Sequence, residues 1–456
     1  MRISRHYLTI NGRKVHYRKA GSGPPLLMIH QSPRSSAEYE ALMGDWASDF
    51  TCIAPDTPGF GQSDPLAKPD PDIGDYADAV VEFTRALGLE RTAAYGFHSG
   101  GIILVTALGR HPDLFTALAI GGYAIWTPQE MAVFGERYLP PFRPSAYGEH
   151  LTWLWNRILE QNWFFPWFDV REAARLRVAH DDPQRVHAVV MEMLDAGDAY
   201  RLGYGAVLRA PRDIPPPDAA TPSVLITAYD GDPLQVHIDR LSTLPKGWSA
   251  AKVASPKEHQ DQSRAFLLRH APPHQVDYQQ DEDDGGFLLV ETANFNGLIH
   301  WQGKAGSQAL VVHPPGSEAA LMEPDNAIAI DLPGHGLSSR WQGAPPTGWV
   351  EWQAVIDAAA VALGTSTQTF PDVPEGDIRR LYPDLTPDRF GNYLTKGWGI
   401  ARAQALFSPW YEVGSVNAIA FDETELAPER LALRHRALIR ATAAREMALA
   451  LRSRAP

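Results

Sequence analysis

The chain has 456 residues, 44% of them hydrophobic and 21% charged, with a net charge of −13 and a single cysteine, Cys52. That length suggests two globular domains rather than one. The acidity, with no basic run to offset it, argues against a nucleic-acid partner, and a lone cysteine excludes an internal disulfide. No apolar run approaches the length of a membrane span, and the N-terminus lacks an apolar stretch of signal-peptide length, so a cytoplasmic protein with no membrane partner is expected.

In chain order, Leu26-Leu27-Met28-Ile29 and Thr51-Cys52-Ile53-Ala54 are short apolar runs bounded by glycine and proline, as buried parallel strands are. Residues 35–50 between them have helical spacing. A helix near 76–87, a strand over 92–95, a helix over 102–108 and a strand over 117–120 follow. This alternation predicts a doubly wound, mostly parallel α/β sheet. From about 126 to 211 the chain turns helical and rich in Trp and Phe, which suits an inserted cap. The sheet resumes at 222–227, with a further strand near 250–254 and a closing helix over 260–268. These elements make a domain of residues 1–272. Residues 273–286 are polar and acidic and read as a linker to a second domain over 287–456.

Between the strand at 92–95 and the next helix lies Gly96-Phe97-His98-Ser99-Gly100-Gly101. It has the outline of a nucleophile elbow, in which the residues two before and two after the apex must be small. Gly96 and Gly100 bracket His98 in that way. Placing Ser99 at the apex would put the Phe97 benzyl group at a position that must be small. His98 is therefore expected at the apex, with positive φ.

The second half repeats parts of the first. Asp56-Thr57-Pro58-Gly59-Phe60-Gly61 returns as Asp331-Leu332-Pro333-Gly334-His335-Gly336, and His16-Tyr17 as His300-Trp301. In the cap, Tyr147-Gly148, Leu151-Thr152, Trp155, Phe164, Pro166-Trp167 and Val170 align without a gap to Phe390-Gly391, Leu394-Thr395, Trp398, Phe407, Pro409-Trp410 and Val413. Ordered matches at nearly constant offset indicate an internal duplication. Where the elbow would recur stands Pro371-Asp372-Val373-Pro374-Glu375-Gly376-Asp377, which cannot form a strand, turn and helix. The second copy is thus expected to be truncated and non-catalytic, to pack against the first cap to cap, and to leave the chain a monomer.

On these motifs the first half resembles the α/β-hydrolase family. His30-Gln31-Ser32-Pro33 resembles its oxyanion loop, with Gln31 in place of glycine, and Asp56 to Asp64 its Asp-x-Pro-Gly-x-Gly-x-Ser turn. The elbow, the inserted cap, Asp232-Pro233-Leu234 after a late strand, and His259 before the last helix follow in family order. The resemblance implies Asp232 as the catalytic acid, with Asp230 competing for that role, and His259 as the general base. It also implies an oxyanion hole from the backbone N–H groups of Ser32 and Ser99.

Three chemistries remain open for His98. It can replace serine as nucleophile, pair with His259 as acid and base, or leave Ser99 to act as nucleophile after a shift of the turn. The first and third serve hydrolysis of an ester, lactone or related carbonyl bond in a small hydrophobic or aromatic substrate, and the second a cofactor-free lyase or C–C bond hydrolase reaction; if catalysis is lost, ligand binding alone is left. Gln31, Tyr123, Trp126, Trp153 and Trp163 are candidate pocket residues, whereas Trp155 and Trp167 recur in the second half and read as packing. His30 reads as structural and Arg34 as solvated. The histidines show no metal-ligand spacing and no glycine-rich phosphate loop is present, so neither metal nor cofactor is expected.

Overall fold

The structure, a computed structural model, describes residues 2–177, 179–273, 278, 284–322 and 326–454. Of the expected linker, residues 274–277 and 279–283 lie outside the described residues. The chain divides into two compact units, Met1–Phe142 with Asn156–Asp281, and Arg143–Trp155 with Glu282–Pro456. The cap expected over 126–211 is therefore split, since residues 143–155 join the second unit.

In the first unit, strands β1 (Ser4–Ile10), β2 (Arg13–Ala20), β3 (Pro25–Ile29), β4 (Thr51–Pro55), β5 (Thr92–Phe97), β6 (Phe115–Gly121), β7 (Ser223–Tyr229) and β8 (Trp248–Val253) form one sheet. Their order is β1-β2-β4-β3-β5-β6-β7-β8. Pairing is antiparallel from β1 to β2 and from β2 to β4, and parallel from β4 to β8. This is the α/β-hydrolase fold that the motifs predict.

The alternation of side chains along a strand builds two cores. Leu27 and Ile29 of β3 face one cluster, with Ile102, Val105 and Leu108, and Leu26 and Met28 face the other, with Met43, Trp46 and Leu267. Both faces of β3 and β4 are buried along their whole length, which is why these strands read as unbroken apolar runs. The helices are α1 (Glu40–Trp46), α2 (Ile73–Ala86), α3 (Ser99–Arg110), α4 (Pro128–Phe134), α5 (Glu149–Gln161), α6 (Pro183–Ala196), α7 (Tyr200–Arg209) and α8 (Pro256–Arg269). The Asp72 carboxylate starts α2 by accepting the Gly74 and Asp75 N–H groups.

The second unit has a sheet of β9 (Gly285–Glu291), β10 (Asn296–Gly303), β11 (Ala309–Val312), β12 (Ala327–Ile330) and β13 (Thr367–Thr369). Its order, β9-β10-β12-β11-β13, is that of β1-β2-β4-β3-β5, with the same senses of pairing. The sequence carries no signal for strand β13, because Thr-Gln-Thr is too short and polar. No elbow follows it: after α9 (Trp349–Leu363) and β13 the chain runs through Pro371 and Pro374 to the short α10 (Ile378–Leu381). Helices α11 (Asn392–Gln404), α12 (Pro428–Arg440) and α13 (Ala444–Ser453) complete the unit. Among the described residues no helix is long and apolar enough to cross a membrane.

Candidate active site

The elbow forms as the glycine spacing requires. His98 sits between β5 and α3 at φ 47°, ψ −109°. A Cβ on Gly100 would lie 1.9 Å from the Ile29 carbonyl oxygen, and one on Gly96 would lie 2.7 Å from the Gly100 carbonyl carbon. Only glycine lets β5, β3 and α3 approach this closely.

From the apex the His98 imidazole reaches the carboxylate of Asp232, with Nε2 at 3.1 Å from both oxygens. The Asp232 side chain is fully buried, while that of His98 is 22% exposed. Burial pushes the Asp232 carboxyl up, but the His98 imidazole and the Leu234 N–H, which donates to Oδ1 at 2.8 Å, hold it below the usual carboxylate range. A carboxylate only accepts, so the bonded Nε2 carries a proton, and in the neutral ring Nδ1 is the atom with the lone pair. Phe97 stacks on the imidazole at 4.2 Å between centroids. Gly122, at φ +63°, gives the pair its room, since a Cβ there would lie 2.7 Å from His98 Cδ2 and 3.0 Å from Asp232 Oδ2. The competing Asp230 is exposed.

The triad implied by the family resemblance is not the hydrogen-bonded arrangement. His259 is 2% exposed; its Nε2 lies 2.8 Å from the Tyr95 hydroxyl and its Nδ1 2.6 Å from Thr227 Oγ1. Burial pulls its pKa down to about 4, so the ring is neutral at pH 7. Phe97 packs edge-on against His259 at 5.8 Å and stacks on His98 with its face. Asp232 is claimed by His98 because an imidazole at the apex spans the gap to the carboxylate that a serine would leave to a distant base.

Ser99 is turned to the oxyanion loop, where its Oγ accepts the Ser32 N–H at 2.6 Å. One of the two expected oxyanion donors is thus already engaged, and among the described residues Ser99 Oγ has no hydrogen bond to His98, Asp232 or His259. Gln31 does not line the pocket. Its backbone N–H and its Nε2 both donate to Glu38, at 2.8 and 3.1 Å. Burial raises the Glu38 carboxyl to about 7. Arg34 is not solvated either: it pairs with Glu192, which also accepts the Ser35 hydroxyl at 2.9 Å. His30 is structural as expected, 1% exposed, with Nε2 accepting the Thr57 N–H at 2.9 Å.

A pocket opens over the dyad, lined by Ser32, His98 and Ser99 and walled by apolar groups including Ile102, Trp126, Phe165, Val207 and Leu234. Of the expected aromatic residues Trp126 is in this wall, and its buried Nε1 has no hydrogen-bond partner among the described residues. Tyr123 is buried in the core at 1% exposure instead. Trp163 donates to the His180 carbonyl at 3.0 Å, and Trp153 falls in the segment that joins the second unit. Phe165 and Tyr204 line the pocket without having been singled out. Phe165 sits in the same aromatic run as Trp163, and only the backbone path decides which of the two faces inward. Among the described residues no group of three His, Cys, Asp or Glu side chains could hold a metal ion.

Residues 24–133 match the family model described as alpha/beta hydrolase fold. Among curated proteins, the chain is 31% identical over 130 residues to haloalkane dehalogenase 2 of Mycobacterium tuberculosis (strain ATCC 25618 / H37Rv), covering 28% of this chain and 45% of that protein. It is 37% identical over 119 residues to a soluble epoxide hydrolase of Corynebacterium sp. (strain C12), covering 26% of this chain and 41% of that protein. It is 33% identical over 124 residues to the cis-3-alkyl-4-alkyloxetan-2-one decarboxylase of Shewanella oneidensis, covering 26% of this chain and 38% of that protein. The chain thus spans less than half the length of each of these relatives. Among solved structures it is similar to a thermophilic esterase from Thermogutta terrifontis, at 15% identity and TM-score 0.45 over 59% of this chain and 99% of that one. An epoxide hydrolase from an endophytic Streptomyces matches at 16% identity and TM-score 0.44, over 59% of this chain and 94% of that one. The strand order of the first unit and the family model over residues 24–133 both give the alpha/beta hydrolase fold, and the matched stretch includes the oxyanion loop and the elbow.

Proposed function

We propose that the first unit is a hydrolase that cleaves an ester, lactone or related carbonyl bond of a small hydrophobic or aromatic substrate, with His98 as its central catalytic group. The observation that carries this reading is the His98–Asp232 pair at the elbow, opening into an apolar pocket. Asp232 holds the proton on Nε2, so Nδ1 is the basic atom. Nδ1 either attacks the carbonyl carbon, whereupon the C–O bond breaks, the alkoxide leaves with a proton from water and a second water hydrolyses the acyl-imidazole, or it takes a proton from the attacking water and returns it to the departing alkoxide. In both routes the imidazole gains positive charge beside the Asp232 carboxylate. The developing oxyanion is met by the backbone N–H of Ser99 and by the Ser99 hydroxyl, whose own proton is free to point outward while its oxygen accepts from Ser32.

An acid-base reaction shared by His98 and His259 has less support, because both nitrogens of His259 are taken up by Tyr95 and Thr227. The names of the relatives agree with chemistry on small molecules. The matched strand order and cap motifs of the second unit support the reading of a truncated internal duplicate without an elbow.

The test is turnover of a panel of small esters and lactones by the wild type, His98→Ala and Ser99→Ala, with intact mass after a serine-directed phosphonate. His98→Ala is expected to lower kcat/KM by about 10²–10⁴-fold, and the phosphonate to leave Ser99 unlabelled. Turnover untouched by His98→Ala, or labelling lost only in Ser99→Ala, would overturn the assignment.

A further inference from the structure

The second unit contains two stretches, residues 146–155 and 389–398, that meet through reciprocal contacts. Trp155 Nε1 donates to the Arg389 carbonyl at 3.1 Å, and Trp398 Nε1 donates to the Ala146 carbonyl at 3.2 Å. The Trp155 ring lies over Gly391 so closely that a Cβ there would be 2.4 Å from Cγ, and the Trp398 ring lies over Gly148, where a Cβ would be 2.9 Å from Cγ. The His150 ring meets Trp398 edge to face at 4.9 Å, and the Tyr393 ring meets Trp155 edge to face at 5.7 Å. Trp155 and Trp398 are 1% and 2% exposed. In each case the second residue is the aligned counterpart of the first: Ala146 of Arg389, Gly148 of Gly391, His150 of Tyr393 and Trp155 of Trp398.

Residue i touching j′ while i′ touches j is the pattern of an isologous, twofold interface. Ordinary packing of two unrelated segments has no reason to produce it. Each stretch brings the full set of parts: a carbonyl that accepts the opposite indole, a glycine at positive φ that admits a flat ring, an aromatic edge, and a tryptophan that is both knob and donor. Gly148 and Gly391 stand at φ +82° and +71°, so neither could be replaced without strain even if the ring were absent. Arg402 breaks the reciprocity. It stacks on Tyr147 at 5.3 Å and donates to the Ala146 carbonyl at 3.5 Å, whereas its aligned position in the first half is Leu159. That cation–π contact favours pairing of unlike stretches over like ones.

We propose that residues 146–155 form a homotypic docking surface, self-complementary under a twofold axis, and that residues 389–398 occupy it as a built-in second copy. The partner this surface fits is another copy of itself, and the duplicated chain carries that partner with it. The wild type is then a monomer. When the internal partner is disabled, the freed surface pairs with the same surface of a second chain.

The test is sedimentation of the full chain across a concentration series. The wild type is expected to stay monomeric. Trp398→Glu, which puts an unpaired carboxylate on the second stretch, is expected to give a concentration-dependent dimer through residues 146–155, and Trp155→Glu one through residues 389–398. With Trp155→Glu and Trp398→Glu combined, both surfaces are spoiled and the chain returns to a monomer. A wild-type dimer, or a Trp398→Glu variant that keeps its circular dichroism yet stays monomeric, would overturn the proposal. If the charged variants do not fold, exchange of the two aromatic edges decides. His150→Tyr combined with Tyr393→His should be at least as stable as either single variant, because self-complementary surfaces accept either ring on either side. A double variant less stable than both singles would overturn it.

Discussion

The first five strands of the first unit and the five of the second follow the same order, yet only one set leads into an elbow. Both carry a buried His–Asp latch below the glycine turn. His16 Nδ1 meets Asp56 at 2.8 Å, and His300 Nδ1 meets Asp331 at 2.8 Å. Each aspartate also accepts backbone N–H groups, from Ser36 and Gln62 in one unit and from Ala319 and Leu337 in the other. His30 and His313 likewise each accept the N–H of the residue after that aspartate, Thr57 at 2.9 Å and Leu332 at 3.1 Å. A motif that persists where no elbow exists serves the fold. The two units part where β5 continues into His98 and α3, while β13 runs into a loop broken by Pro371 and Pro374.

That contrast can be broken most sharply at Asp232, which has no counterpart in the second unit. Asp232→Asn should lower kcat by about 10³-fold or more, because an amide no longer fixes the proton on His98 Nε2. Circular dichroism should be unchanged, and a loss under tenfold would return His98 to a structural role.

Next in size is the latch. Asp56→Asn and Asp331→Asn should each cost about 3 kcal/mol of stability in the unit concerned, as removing one partner of a buried pair does. Only the substitution at Asp331 should leave turnover of the wild-type substrates unaltered. Denaturant titration read by tryptophan fluorescence separates the two. Equal losses would support a shared structural role, and an Asp331→Asn variant as stable as the wild type would remove it.

The last effect vanishes at neutral pH and is read only in acid. His259 is buried with a pKa of about 4, against about 6.5 in an unfolded chain. Between these values the unfolded state binds a proton that the folded state does not. The contribution is therefore complete above about pH 6.5 and is lost as pH falls toward 4, by about 1.4 kcal/mol per unit. His259→Gln should flatten the acid limb of a thermal-melt series by that slope. A general base exchanging protons with substrate would instead show its main effect in the pH profile of kcat/KM.

Much of this was legible in the residues. Apolar runs bounded by glycine and proline located β3 and β4, and the family order of motifs located Asp232 in the turn after β7 and His259 after β8, where it falls in the first turns of α8. The pairing among them was not legible, because any of three side chains near the elbow could have used the Asp232 carboxylate. Nor could the aromatic run reveal that Phe165 rather than Trp163 faces the pocket, since that depends on how the loop after α5 turns. Gln31 and Arg34 were misread for the same reason: Glu38 and Glu192, which bind them, reach them only in the folded chain.

What the amino-acid order determined by itself is local and steric. Gly96 and Gly100 leave no apex but His98, because a Cβ at either position collides with backbone, and the repeated motifs set the strand order of both units. The tertiary structure alone decided that His98 rather than His259 holds Asp232, because that choice depends on the space left at Gly122 and on the span of an imidazole. It alone also placed residues 143–155 with the second unit, because a self-complementary surface buries its two tryptophans only when its counterpart is brought to meet it.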